Sequence, residues 1–141
     1  LVLLDSAGNS AIHTGGKALG IHASARGKQC AAAANLLANE QVPQAMVTNF
    51  ENSSGHLAQR LISALEAGIE AGGEAGDVRS AGVQVVHEVS WPIVDLRVDW
   101  DENPISRLQT IWKEYQPQLD AYVTRALNPE SAPSYGVPGD L

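Results

Sequence analysis

The stretch that decides the fold is residues 93–105, IVDLRVDWDENPI. Residues 93–100 alternate strictly between two faces, as the residues of an extended strand do. The face predicted to enter the core carries Val94, Leu96, Val98 and Trp100, and the opposite face carries Ile93, Asp95, Arg97 and Asp99. Asn103 followed by Pro104 is a helix-start signal. The stretch therefore predicts a half-buried strand that leads directly into a helix.

Both sides of this stretch continue the pattern. Downstream, an apolar stripe at helical spacing comprises Ile105, Leu108, Ile111, Trp112 and Tyr115. Pro117 should interrupt that helix and restart it over Leu119–Leu127, because proline lacks a backbone N–H. Upstream, VQVVHEV at residues 83–89 is rich in β-branched residues and predicts a strand that pairs with 93–100.

The clearest helix of the sequence spans His56–Ala71. Its predicted core stripe is Leu57, Leu61, Leu65 and Ile69, with Gln59, Ser63, Glu66 and Glu70 on the opposite side. Gly72 and Gly73 supply the left-handed helix stop, and the glycine-rich loop GGEAGDVRSAG at residues 72–82 joins the helix to the next strand. A shorter helix is predicted over Val42–Phe50.

The N-terminal region predicts strands. Leu1–Asp5 and Ala11–Thr14 flank a turn containing Gly8 and Asn9, which indicates a hairpin, and Gly27–Asn39 is interpreted as a buried strand. Taken together, the elements predict an α+β domain with helices packed on antiparallel sheets. Because the sequence starts within a strand that needs neighbours, we expect it to be the C-terminal portion of a longer polypeptide.

Composition restricts the function classes. A net charge of −7 disfavours nucleic-acid binding, which depends on clustered Lys and Arg. No apolar run reaches the roughly 20 residues that span a bilayer, so we expect no membrane association. A single cysteine cannot form an internal disulfide, so we expect a cytoplasmic location. The lone Cys30 is interpreted as a small core residue. The four histidines are scattered without metal-ligand spacing, so neither a metal site nor a cofactor is expected.

Four motifs carry a family resemblance. They are AANLLAN (33–39), LAQRLISALEAGIEAGGEAGDVRSAG (57–82), WPIVDLRVDWDENPI (91–105) and YVTRALNPESAPSYGVPGD (122–140). In this order they resemble the second half of a bacterial family, domain of unknown function 1028. The resemblance implies a layered αββα sandwich like that of the N-terminal-nucleophile (Ntn) hydrolases. Residues 1–127 would be the C-terminal portion of one such domain, and 128–141 an extended tail.

The resemblance also implies amide-bond hydrolysis of a small amide or peptide. Ntn enzymes use the first residue as nucleophile and its α-amino group as general base. Leu1 has no nucleophilic side chain, so the nucleophile would come from a missing segment of the same polypeptide or from a second chain, and we expect a homo-oligomer. The alternatives are a non-catalytic ligand-binding domain and an oligomeric structural domain on the same fold.

The residues proposed to bind substrate are Asn35, Arg79, Ser80, Asp95, Arg97 and Asp99. Arg79 and Asn35 are expected to share a cleft, since arginine grips carboxylates with a planar fork and a buried amide needs polar partners, and Asp95 or Asp99 would be the counter-charge of Arg79. The plainer interpretations stay open: Asn35 as a turn or cap residue, Arg79 and Ser80 as braces of the loop, and the charged strand face as solvated surface. The family's usual Gly-Asn pair appears here as Ala34-Asn35.

Overall fold

The computed structural model describes residues 1–137. Its strands are β1 (Val2–Leu4), β2 (Ser10–Ile12), β3 (Ile21–Gly27), β4 (Cys30–Leu37), β5 (Ala81–Val85) and β6 (Val94–Val98). Its helices are α1 (Val42–Asn52), α2 (Leu57–Glu70), α3 (Pro104–Tyr115) and α4 (Leu119–Leu127), with 3-10 turns at Gln116–Gln118 and Pro129–Ser131. The chain is thus an α+β protein, as predicted. Residues 138–141 of the predicted tail lie outside the described residues.

The strands form three antiparallel pairs, β1–β2, β3–β4 and β5–β6. The predicted pairing of β5 with β6 is confirmed, with Ala81 opposite Val98 and Val85 opposite Val94. The prediction for residues 86–89 was wrong, because β5 ends at Val85 and the chain then turns toward β6. The backbone N–H of Ile93 donates to the Val85 carbonyl oxygen at 2.9 Å and closes this hairpin.

The other two pairs occupy the N-terminal third of the chain. The predicted hairpin of β1 and β2 is confirmed, and the predicted strand at Gly27–Asn39 is β4. Strand β3 was not predicted, because its sequence IHASARG mixes small and polar residues without an apolar period. Strand β4 carries one extra residue opposite β3 near Asn35, and Leu36 there has a φ of 55°. This β-bulge bends the end of β4.

One cluster of apolar side chains holds the C-terminal elements together. It contains Ala58, Ile62, Val83, Val85, Val94, Val98, Leu108, Trp112 and Leu119. Four large members, Ile62, Val94, Leu108 and Trp112, have no exposed surface, which confirms the stripe predicted for α3. The Tyr115 hydroxyl donates to the Ile93 carbonyl oxygen at 2.8 Å and ties α3 to the β6 hairpin.

Trp100 corrects the prediction for the face of β6. It was expected in the core with Val94 and Val98, but 77% of it is exposed. Strand β6 ends at Val98. Alternation predicts which face a side chain occupies only within a strand, so it does not apply to Trp100.

Helix α2 corrects a second prediction. Its fully or almost fully buried residues are Ala58, Ile62, Ala64 and Gly68, whereas the ends of the predicted core stripe, Leu57 and Ile69, are 41% and 44% exposed. Gln59, expected to face solvent, exchanges two hydrogen bonds with Gln109 of α3 at 2.9 and 3.0 Å. Small residues let neighbouring helices approach closely, so the side with the smaller residues is buried here. The leucine side of α2 stays partly uncovered.

Helix α1 completes this layer. It packs beside α2 and contacts β3 and β4, while α2 contacts β5 and α3. Val42 and Val47 of α1 are buried, and a methyl group on Gly68 of α2 would lie 3.0 Å from Met46 Cγ. Helices α1 and α2 therefore cover both the β3–β4 and the β5–β6 hairpins. None of the helices within residues 1–137 has the length and apolarity needed to cross a bilayer.

Leu108→Ala tests the core cluster. Leu108 has no exposed surface, so its truncation should lower the free energy of unfolding by about 2–5 kcal/mol in chemical denaturation of the 141-residue chain. The matched control is Leu127→Ala, because Leu127 is 64% exposed on α4 and its loss should cost less than about 0.5 kcal/mol. Equal effects of the two substitutions would contradict this description of the core.

Candidate functional site

The glycine-rich loop that follows α2 begins as a helix stop. Gly72 and Gly73 have φ values of 125° and 62°, a region that favours glycine. Their N–H groups donate to the Ile69 and Gly68 carbonyl oxygens, both at 2.9 Å. The predicted left-handed termination of the helix is confirmed.

The next part of the loop is hydrogen-bonded to the end of β4. The Ala38 N–H donates to the Gly73 carbonyl oxygen at 3.0 Å, and the Ala75 N–H donates to the Leu36 carbonyl oxygen at 2.8 Å. The Asn39 side-chain amide adds a bond of 2.7 Å to the Ala71 carbonyl oxygen. The loop therefore closes the space between the end of β4 and the start of β5.

Arg79 braces this loop. Its guanidinium lies 2.5 Å from the Asp77 carboxylate and 5.9 Å from the centre of the Trp100 ring. The Arg79 carbonyl oxygen accepts a hydrogen bond of 2.9 Å from the N–H of Asp101, just before α3. The predicted counter-charges, Asp95 and Asp99, do not pair with it. Asp77 takes that place because it lies two residues away on the same turn.

The charged face of β6 is solvated. Arg97 and Asp99 pair with each other at 3.2 Å while their side chains remain 76% and 79% exposed. Asp95 accepts a hydrogen bond of 3.3 Å from Gln84 on the adjacent strand. Exposed pairs of this kind contribute little to stability. The three residues share a surface and do not line a cavity with Arg79.

A cavity of about 300 Å³ lies where β4, α2 and the loop meet. Ser80 and Glu74 are the residues of this lining with polar side chains, and Ala33, Ala34, Leu65 and Ile69 are among the apolar ones. Of the predicted site residues, Ser80 lines the cavity, whereas Asn35 lies on the bulge of β4 and donates to the Leu19 carbonyl oxygen at 3.4 Å. Glu74 was missed by the sequence analysis, because only the pairing of the loop with β4 places it here.

A second cavity of about 300 Å³ opens between the loop and the first turn of α3. Its lining includes the carboxylate residues Glu74, Asp77 and Glu102 together with Asn103 and Ser106. An opening with this charge favours an amine or another cationic group over a carboxylate. Glu74 lines both cavities and connects the two sides of the loop.

The described residues hold no assembled nucleophile. Among residues 1–133, no Ser, Thr or Cys side chain is hydrogen-bonded to a histidine; the His56 imidazole accepts from the N–H of Ala58. Burial and the nearby Glu51 carboxylate raise the pKa of the Cys30 thiol, which disfavours the thiolate needed for catalysis. Within residues 1–137, no three His, Cys, Asp or Glu side chains converge as ligands for a metal ion.

The family profile of DUF1028, a family of unknown function, matches residues 1–108. The chain belongs to the DUF1028 family. The resemblance found in the sequence motifs is therefore confirmed. No curated protein matches the chain.

A solved structure agrees with this membership. The fold is similar to the crystal structure of the DUF1028 protein SPO2555 from Silicibacter pomeroyi, with a TM-score of 0.73 and 31% sequence identity. The similarity covers 82% of this chain and 49% of that protein. The chain thus spans about half the length of the solved DUF1028 protein.

Gly73→Ala tests the role of the loop as a helix stop. Because Gly73 has a φ of 62°, an alanine should lower the free energy of unfolding by roughly 1–2 kcal/mol. The control is Gly76→Ala in the same loop, where an added Cβ meets no atom within 4 Å and φ is not positive. That substitution should leave the stability unchanged or raise it by up to about 1 kcal/mol. The stabilities of both variants can be measured by thermal and urea denaturation. Equal losses of unfolding free energy in the two variants would contradict the role of Gly73 as a helix stop.

Proposed function

We propose that the chain is the C-terminal portion, residues 1–127 followed by its tail, of an amide hydrolase with the αββα layering of the Ntn class. In this proposal the other part of the polypeptide or a second chain supplies the nucleophile, and this portion forms the wall that positions a small amide or peptide substrate. The observation that carries the proposal is the cavity lined by Ser80 and Glu74, in which the Ser80 hydroxyl is not hydrogen-bonded to a histidine base among residues 1–133.

In the proposed reaction, another part of the protein supplies the nucleophile, and this chain positions the substrate. An N-terminal residue would attack the amide carbonyl carbon while its own α-amino group accepts the proton, which the ordinary α-amino pKa near 8 allows. The wall formed by this chain would donate hydrogen bonds to the substrate and to the developing oxyanion. We assign this role to the Ser80 hydroxyl, which lines the cavity. Asn35 and Arg79, expected from the sequence to share this cleft, do not line it: the Asn35 amide bonds to the Leu19 carbonyl oxygen and Arg79 pairs with Asp77.

The loop geometry also supports a polar substrate. Its hydrogen bonds to Leu36 and Ala38 fix the backbone beside the cavity, and a fixed donor loses little freedom when a ligand binds. The carboxylate of Glu74, which lines this cavity, suits a substrate with an amino group next to the amide. We further propose that the protein is a cytoplasmic homo-oligomer.

The second candidate is a non-catalytic ligand-binding or oligomeric structural domain. The observation that favours it is the pairing of Arg79 with Asp77, which occupies the guanidinium with a partner from its own loop. The solvated charges at Asp95, Arg97 and Asp99 would then belong to a subunit contact or to free surface.

Ser80→Ala and Arg79→Lys separate these candidates. The experiment uses a family-length polypeptide, that is, a DUF1028 chain of the length of the solved relative that contains these 141 residues. In it we expect hydrolysis of at least one substrate in a panel of amino-acid and dipeptide p-nitroanilides. Ser80→Ala should then lower kcat/KM about tenfold or more, because a transition-state hydrogen bond is lost. Arg79→Lys should weaken substrate binding roughly tenfold while leaving the melting temperature nearly unchanged, because lysine keeps the charge and loses the planar fork.

The matched controls lie away from the cavity. Ser6→Ala in the β1–β2 turn and Arg107→Lys on the exposed side of α3 should leave kcat/KM unchanged. Absence of hydrolysis across the panel, together with retained ligand binding, would support the non-catalytic candidate. Equal effects of the site and control substitutions would contradict both candidates at this cavity.

A further inference from the structure

Strands β4 and β5 face each other across an open slot, defined by residues 30–34 of β4 and by Ser80 with residues 81–84 of β5. One end of the slot is lined by Cys30, Ala31 and Ala32 on one side and by Gly82, Val83 and Gln84 on the other. The other end is lined by Ala33 and Ala34 opposite Ser80, Ala81 and Gly82. The slot therefore extends along five residues of β4 and four residues of β5.

Both walls of the slot are strand edges. Consecutive residues of each strand line the slot, although successive side chains point to opposite faces, which indicates that the backbone edge borders it. Within residues 1–137, β4 pairs with β3 alone along this stretch and β5 with β6 alone. The backbone N–H and C=O groups on the slot side thus lack a strand partner, a condition that proteins normally relieve by pairing or covering the edge.

The floor of the slot is apolar. It consists of Met46, Val47 and Phe50 of α1 and Leu61, Ala64, Leu65 and Ile69 of α2. Leu65 lines both ends of the slot, and it belongs to the leucine side of α2 that the described residues leave partly uncovered. An occupant of the slot must therefore offer extended backbone to the two edges and apolar side chains to the helices.

We infer that this slot is a strand-insertion site, filled by an extended segment from the half of the DUF1028 polypeptide that lies outside these 141 residues. The length of the solved relative carries the choice of occupant, because this chain aligns with only 49% of that protein. A second copy of this chain fits less well. Its strand β1 has only the three residues Val2–Leu4 for edges of five and four residues, and it is already paired with β2.

The inserted segment would join the two hairpins into one continuous sheet over α1 and α2. Its side chains that point toward the helices would cover Leu65 and Ile69. The inference rests on strand edges and apolar burial and does not require amide hydrolysis, so a protein without hydrolytic activity would still fill its slot.

Site-specific photo-cross-linking in the family-length polypeptide tests the inference. A benzoylphenylalanine at position 65, on the floor of the slot, should cross-link within the same polypeptide to a peptide from outside residues 1–141. The same residue at position 57 is the matched control, because Leu57 lies on the same side of α2 two turns earlier and does not line the slot. We expect cross-links to that peptide from position 65 and not from position 57, mapped by mass spectrometry.

A second probe position is needed in case the substitution at position 65 disturbs folding. Gln84 is an exposed residue on the β5 wall, so a benzoylphenylalanine there leaves the core untouched and should reach the same peptide. Cross-links exclusively to residues within 1–141, a cross-linked dimer formed through position 65, or no cross-link at either slot position in a folded protein would each overturn the inference. Measuring amide hydrolysis on the same preparations keeps this outcome separate from that of the proposed function.

Discussion

Burial of Ile62 between α3 and the β5–β6 hairpin is the interaction on which the rest of the structure depends. Ile62 has no exposed surface and shares one cluster with Trp112, Leu108 and Val94. This packing fixes which side of α2 is turned inward. As a result, the other side of the same helix, which carries the leucines, faces β4 and the slot. One rotation of α2 thus sets both the core and the uncovered surface.

The loop after α2 follows from the same constraint. Because α2 ends beside β4 while β5 starts on the other side of the slot, the chain has to cross between them at one end. Gly72 and Gly73 permit the turn, and the hydrogen bonds of Gly73 and Ala75 to β4 hold the crossing in place. Arg79 pairs with Asp77 within the loop and ties the loop to the segment before α3 through Trp100 and Asp101. The opposite charges of Arg79 and Asp77 thus stabilise the loop itself, whether or not a ligand binds.

Elements governed by local chemistry were predictable from the sequence. The stripe of α3, the pairing of β5 with β6 and the glycine stop of α2 depend on periodicity and on backbone freedom, which a sequence displays directly. The buried side of α2 was not predictable, because Ala58 and Gly68 are buried through close helix approach, and a hydropathy pattern gives more weight to leucines. The prediction that Trp100 is buried was wrong because alternation does not reveal where a strand ends. The cavity lined by Ser80 and Glu74 depends on contacts between β4 and the loop, about forty residues apart in sequence, which no local pattern encodes.

In our proposal, the rest of a DUF1028 polypeptide completes the edges of β4 and β5. Amide hydrogen exchange on the family-length polypeptide, with residues 30–34 and 80–84 as reporters, is the decisive test. We expect amides on both sides of both strands to exchange slowly, as in the interior of a sheet. Slow exchange at alternate residues only, with the intervening amides as fast as those of an exposed turn, would show that each edge is open to water and would contradict the account.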